Sequence, residues 1–240
     1  MPRDATMRRL AGIAPDQWGL VTRQQAEGAG IPRRTLDRLA APGSVLERVA
    51  LGVYLVAGSP IPDHLELRAA WLQLAPGVPV WERSADEGVV SHRSAAAIYG
   101  LGHFPADRHE FTMPARRQVR RPDVRVHVRH LNEHEWIRLE GLLVTRPSRI
   151  VSDLLWDDDD PEGIARIAME AIRDIKDDAG TFAAELGPHA ARLGLRKNNG
   201  TEVLRWLLDI AGDREVARWA MESVDPQTSF DLQPRSVGSP

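Results

Sequence analysis

Thr22-Arg-Gln-Gln-Ala-Glu-Gly-Ala-Gly-Ile-Pro-Arg-Arg-Thr-Leu-Asp-Arg-Leu39 is the stretch whose reading decides the fold. Thr22 followed three residues later by Gln25 is a capping box, in which each side chain satisfies a free backbone N–H at a helix start. That helix must stop at Gly28-Ala29-Gly30, because glycine supplies the left-handed turn. Ile31 then gives an apolar anchor, and Pro32 suits the first position of a second helix. This second helix, Pro32 to Leu39, buries Leu36 and Leu39 and leaves Arg33, Arg34, Asp37 and Arg38 outward. Two short helices joined by a tight glycine turn are the geometry of DNA-reading motifs, whose second helix enters the major groove by its N-terminal end.

The flanks extend the motif. Met7, Leu10 and Ile13 form one stripe and predict a first helix over Ala5 to Ile13. After the Pro42-Gly43 turn, Val45 to Val49 and Gly52 to Val56 read as two short strands joined at Ala50-Leu51-Gly52. Three helices and a two-stranded wing predict a winged helix-turn-helix domain over residues 1–60.

Its DNA-contacting set is Thr22, Arg23, Arg33, Arg34, Thr35, Arg38 and Arg48. Arg34 and Arg38 lie four apart on one face, and arginine suits bidentate contacts with guanine O6 and N7. Arg33 ranks below them, because Asp37 four residues on is a pairing partner.

Charge is unevenly placed. The chain of 240 residues carries 31 basic and 34 acidic side chains, yet residues 1–60 are net +3 and residues 108–149 net +5, against -3 for 61–107 and -8 for 150–240. Two basic segments in an acidic protein point to a localised polyanion-binding surface, although solvated surface arginines give the same pattern.

Residues 61–178 predict a mixed α/β domain. Asp63 to Leu74 reads as a helix with Leu67, Trp71 and Leu74 on one stripe, and Ser91 reads as the cap of a helix closed by Gly100. Strands are expected at Glu110 to Met113, Val124 to Arg129 and Leu142 to Thr145, and a helix from Pro147 to Trp156. Arg116, Arg117, Arg120 and Arg121 crowd one loop; Arg125 and Arg129 alternate with Val124, Val126 and Val128 on the following strand. Together these arginines read as a second basic surface, either touching phosphate or simply solvated. No aromatic interleaves them, which disfavours a single-strand stacking platform.

Helical stripes continue through Ile164 to Ile175, Thr181 to Leu193 and Thr201 to Ile210, with Thr201 as a cap. Residues 179–223 are thus a helical extension, and residues 224–240 a tail expected to lack order. The fold class is α+β.

Several chemistries are disfavoured. There is no cysteine, hence no disulfide, thiol catalysis or cysteine-ligated zinc. His127, His130 and His134 straddle a strand end and a loop, a poor frame for convergent metal ligation. Asp157 to Asp160 read as a solvated loop leading into a helix that begins at Pro161. No nucleophile elbow, phosphate-cradling loop or dinucleotide fingerprint occurs. The Asp…Glu-x-Lys pattern of an endonuclease is missing as well, since neither Lys176 nor Lys197 lies two residues after a glutamate, although Asp174 stands two places before Lys176. No catalytic residue, metal or cofactor is expected. With no long apolar run and no signal-like start, a cytoplasmic protein without membrane contact is expected.

The segments Gly19 to Leu39 and Leu46-Glu-Arg-Val-Ala-Leu-Gly-Val-Tyr54 resemble the N-terminal domain of AbiEi-type antitoxins. Ser91-His-Arg-Ser-Ala-Ala-Ala-Ile-Tyr-Gly-Leu101, Phe111-Thr-Met-Pro114 and Glu140-Gly-Leu-Leu-Val-Thr-Arg-Pro-Ser-Arg149 look like that family's second domain. The likeness covers about residues 5 to 175. It implies the antitoxin of a type IV toxin-antitoxin system, encoded beside a nucleotidyltransferase-like toxin that it neutralises with or without stable contact. It further implies repression of its own operon at inverted repeats in double-stranded operator DNA, with a homodimer forming on the DNA. Without the resemblance, the residues alone support a winged-helix regulator whose second domain senses a partner or ligand.

Overall fold

The computed structural model describes residues 3–41, 43–105, 107–117 and 121–224. Arg120 of the basic loop and residues 225–240 of the expected tail lie outside the described residues. The chain forms two compact units, one of Met1–Ser94 with Ala106–Val144 and one of Ala95–Pro105 with Thr145–Pro240.

The first unit opens with α1 (Arg3–Ala11), a single 3₁₀ turn at Pro15–Gln17, β1 (Leu20–Thr22), α2 (Arg23–Gly28), α3 (Arg33–Leu39), β2 (Leu46–Ala50) and β3 (Val53–Val56). This is a winged-helix-like arrangement with an antiparallel sheet in the order β1-β3-β2. The sheet has a third strand that the sequence reading did not anticipate: Leu20-Val21-Thr22, of which only Thr22 was read, as a helix cap and a DNA contact, pairs Val21 with Tyr54. Leu10, Val21, Ala26, Ile31, Leu36, Leu39, Leu46 and Tyr54 form one buried cluster, with Met7 and Ile13 packed against it. The apolar stripes of all three helices and both faces of the turn thus meet in one core, and its burial is what stabilises elements too short to stand alone.

The same unit continues with α4 (Leu65–Leu74), β4 (Val89–Val90), α5 (His92–Tyr99), β5 (His109–Met113), β6 (Val124–Val128), β7 (Trp136–Leu139) and β8 (Leu142–Thr145), the unit boundary falling inside α5. The five strands form a mixed sheet in the order β6-β5-β4-β8-β7, with β5 antiparallel to β4 and parallel to β6. Helix α4 is buried along most of its length, and its C-terminal carbonyls are held by a buried guanidinium: Arg83 donates to the carbonyls of Leu72 (2.9 Å), Trp71 (2.5 Å) and Ala75 (2.6 Å). Arg83 also stacks on Trp71, its carbon 4.2 Å from the ring centre. A charged donor at a helix C-terminus is favoured by the helix dipole and satisfies carbonyls left without intrahelical partners.

Helix α4 bears on the winged sheet. The Thr22 hydroxyl donates to the Pro76 carbonyl just past α4, Gln73 Nε2 donates to the Leu51 carbonyl at the wing tip (2.7 Å), and Trp18 Nε1 donates to the Glu140 carbonyl (2.8 Å). Buried Arg68 lies 4.5 Å from the Trp18 ring centre and donates to the Glu140 carboxylate at 2.8 Å. Winged helix and mixed sheet therefore share one continuous set of polar contacts within this unit.

The second unit is helical: α6 (Pro147–Trp156), α7 (Pro161–Arg173), α8 (Ala179–Leu186), α9 (Gly200–Ala211) and α10 (Arg214–Val224). Asp160 accepts from the Gly163 N–H and caps α7, so the last member of the aspartate run does what its place before Pro161 suggests. The cap of α9 is Asn199, whose side chain accepts from the Glu202 N–H, and not Thr201 as expected. Glycine is required at position 200, where a Cβ would lie 1.9 Å from the Ala183 carbonyl oxygen; the close approach of α9 to α8 depends on it.

Candidate nucleic-acid interface

The helix-turn-helix is locked by three local devices. At the start of α2, the Thr22 side chain accepts from the Gln25 N–H (3.1 Å) while Gln25 Oε1 accepts from the Thr22 N–H (3.0 Å), completing the capping box. Gln25 is itself gripped by buried Gln17 through two reciprocal amide bonds of 2.8 Å, which fix the cap side chain in place. At the end of α2, the N–H of Ile31 reaches the Ala26 carbonyl (2.9 Å) and that of Gly30 the Glu27 carbonyl (2.8 Å), a Schellman turn with Gly30 at φ 75°. Arg9 of α1 then donates to the carbonyls of Ala29 and Gly30, both at 2.8 Å. A Cβ on Gly30 would lie 2.6 Å from the mobile end of that side chain, so it is the positive φ that calls for glycine there.

Pro32 is the residue before α3, with ψ 146°, one place earlier than the sequence reading set it; its carbonyl accepts from the N–H groups of Thr35 and Leu36. Leu36 and Leu39 are buried, whereas Arg33, Arg34, Asp37 and Arg38 are exposed and Thr35 is half-buried. Asp37 holds two of the neighbouring cations: its carboxylate lies 3.3 Å from Arg23 Nη2 and 3.9 Å from Arg33 Nε. No such partner is recorded for Arg34 or Arg38 among the described residues. The exposed face of α3 therefore presents two arginines unengaged by an acid, with Arg33 leaning to Asp37.

Thr22 and Arg23 are occupied otherwise. Thr22 is fully buried, and its hydroxyl serves the cap and the Pro76 carbonyl. Arg23 is three-quarters buried; its Nη2 donates to the Tyr54 hydroxyl at 2.9 Å, a bond that raises its pKa further above the ordinary arginine value. Both residues position α2 and α3. On β2, Arg48 is exposed beside a bulge between Arg48 and Ala50, and the hairpin tip carries Leu51, 79% exposed.

The second basic surface is less uniform than the sequence suggests. Arg116 and Arg117 are exposed. Arg121 is turned inward, its guanidinium bound to the Asp123 carboxylate and donating to Gln73 Oε1 at 2.7 Å. On β6 the arginine side is not a plain solvent face. His127 and Arg125 approach the buried carboxylate of Glu110, at 3.1 Å and 3.7 Å, and His127 stacks on His92 with ring centres 3.5 Å apart. Val128 on the other side is 55% exposed. Arg125 and Arg129 are exposed and Val124 and Val126 partly buried, as alternation predicts, whereas His127 is drawn inward by the buried Glu110 and Val128 faces outward. Arg129, His130 and His134 are exposed.

The Glu110 carboxylate also accepts from the Arg93 N–H at the start of α5 (3.1 Å). Ser91, which directly precedes that helix, accepts from the Thr112 hydroxyl and contacts His92 Nδ1, both at 2.9 Å. No helix among the described residues is long and apolar enough to cross a membrane.

No curated protein matches the chain. The resemblance read over the second half of the chain rests on its quoted motifs, because the family match ends with β3. Residues 8–57, which run from α1 through the wing, match the family model described as transcriptional regulator, AbiEi antitoxin, a match consistent with an AbiEi-like domain over that region.

Proposed function

We propose that the protein is the antitoxin of a type IV toxin-antitoxin pair, which represses its own operon through the winged helix and neutralises a nucleotidyltransferase-like toxin encoded beside it. The observation that carries the DNA-binding half is the exposed basic face of α3, set in a helix-turn-helix that matches an antitoxin regulator family. On this reading Arg34 and Arg38 read base edges, Thr35 meets a base edge or phosphate, and Arg33 and Arg48 contact phosphate. Thr22 and Arg23 act indirectly, by holding the two helices at their angle. Arg116, Arg117 and Arg129 add phosphate contacts outside the groove. Two copies on inverted half-sites give the complex the symmetry of its operator.

The experiment has two arms. In the first, footprinting on the upstream DNA shows protection of paired half-sites that is lost when Arg34 and Arg38 are both replaced by alanine. In the second, co-expression with the adjacent nucleotidyltransferase-like gene restores growth. Protection without rescue supports the other reading, a winged-helix regulator with no toxin partner, which the match to a family of transcriptional regulators equally favours.

A further inference from the structure

In the second unit, the entry to α6, the end of α7, the start of α8 and one face of α10 line a cavity of about 470 Å³ that is open to solvent on one side. Sites for small molecules span about 300–1,000 Å³ and combine apolar walls with a few placed polar groups. The apolar wall here is Ile172, Ile175 and Trp219. Trp219 is 48% exposed and Ile175 81% exposed, so both offer apolar surface to whatever enters. Ile175 also stands at φ 54°, a backbone region that β-branched residues rarely adopt and that is held only where the surrounding structure or a function requires it.

The charged groups of the wall are unequal. Lys176 donates to the Tyr99 carbonyl at 2.9 Å and lies 3.5 Å from Asp174. Asp177 accepts from the N–H groups of Ser148 (2.9 Å) and Asp178 (3.1 Å). Asp178 caps α8, accepting from the N–H and hydroxyl of Thr181, and those bonds keep its carboxyl below the ordinary range. Arg146, at the entry to α6, is the exception: among the described residues no hydrogen bond or ion pair engages its guanidinium. A single unengaged cation beside two carboxylates matches one negative charge and repels a phosphate chain.

We propose that this cavity binds a small molecule carrying one carboxylate on a flat apolar body. Arg146 takes the carboxylate through its planar fork, Trp219 covers the flat face, and Ile172 and Ile175 close the apolar side. The site belongs to the second unit alone and is independent of whether the first unit reads DNA.

The test titrates the full chain with naphthoate and with its neutral counterpart naphthamide, by calorimetry and by tryptophan fluorescence. Naphthoate binds saturably with a dissociation constant on the order of 0.1–1 mM, and naphthamide binds about tenfold more weakly. Arg146→Gln removes that preference for the charged probe, and Trp219→Phe removes the fluorescence change. Absence of saturable binding, equal affinity for the two probes, or naphthoate binding unaltered in Arg146→Gln overturns the proposal. Should Arg146→Gln fail to fold, the comparison of the two probes on the unaltered chain still decides.

Discussion

Asp37 on α3 lies 3.3 Å from Arg23 on α2, so the one acid on α3 ties that helix to its neighbour. It also stands 3.9 Å from Arg33. Asp37 is half-exposed in both pairs, and pairs open to solvent in this way contribute little to stability. Asp37→Asn therefore leaves the melting temperature nearly unchanged while freeing Arg33. Affinity for any duplex rises, and the salt slope steepens by about one if Arg33 gains a phosphate. A salt titration on unrelated DNA checks it; an unchanged slope places Arg33 away from the backbone.

Arg34 and Arg38 separate from Arg33 in a second experiment. Replacing either with alanine costs about 1–3 kcal/mol on operator DNA and relaxes base preference at one position. Arg33→Ala weakens binding evenly across sequences. Affinities measured over a panel of single-base operator variants distinguish the two patterns.

The cap of α2 is a stability prediction. Thr22→Ala removes the acceptor for the Gln25 N–H and costs about 1–2 kcal/mol. Gln25→Ala costs more, about 2–4 kcal/mol, because it also leaves the fully buried Gln17 amide without its partner. Chemical denaturation reads both values. DNA affinity of the Thr22 variant, measured where it is fully folded, stays within a few-fold of the parent, since the buried hydroxyl touches no DNA.

Acid sensitivity follows from His109 on β5. Burial chiefly, and the nearby Arg121 cation next, hold its pKa below the ordinary histidine value, against the opposing pull of Asp123. The folded state thus prefers the neutral ring, while the unfolded chain takes up a proton at higher pH. The contribution to stability is complete above the ordinary histidine range and is lost as pH falls through it toward the folded value. His109→Gln flattens this part of the stability profile, which denaturation at a series of pH values between neutral and mildly acidic measures.

What the sequence made legible was mostly local. The Thr22/Gln25 box, Gly30, the outward arginines of α3 and the whole span of α6 each follow from residues a few positions apart, and the structure contains them. What it concealed depends on distant partners. Leu20-Val21-Thr22 becomes a strand only because β3 lies beside it, and the short β7 likewise gave no alternation to read. Arg23 and Arg121 read as surface cations until Tyr54 and Asp123 came within reach, and Thr22, read as a cap and a DNA contact, also holds the Pro76 carbonyl. Arg146 was quoted only as part of a family motif, although it is the cation left unengaged at a cavity.

The central claim is that α3 reads a specific operator. The most direct test is a binding titration of the full chain against its own upstream DNA and a scrambled duplex of equal length, at low and near-physiological salt. Preference for the upstream DNA at both salt concentrations is predicted, with both affinities falling as salt rises. Equal affinity for the two duplexes would contradict the claim and leave the winged helix as a scaffold.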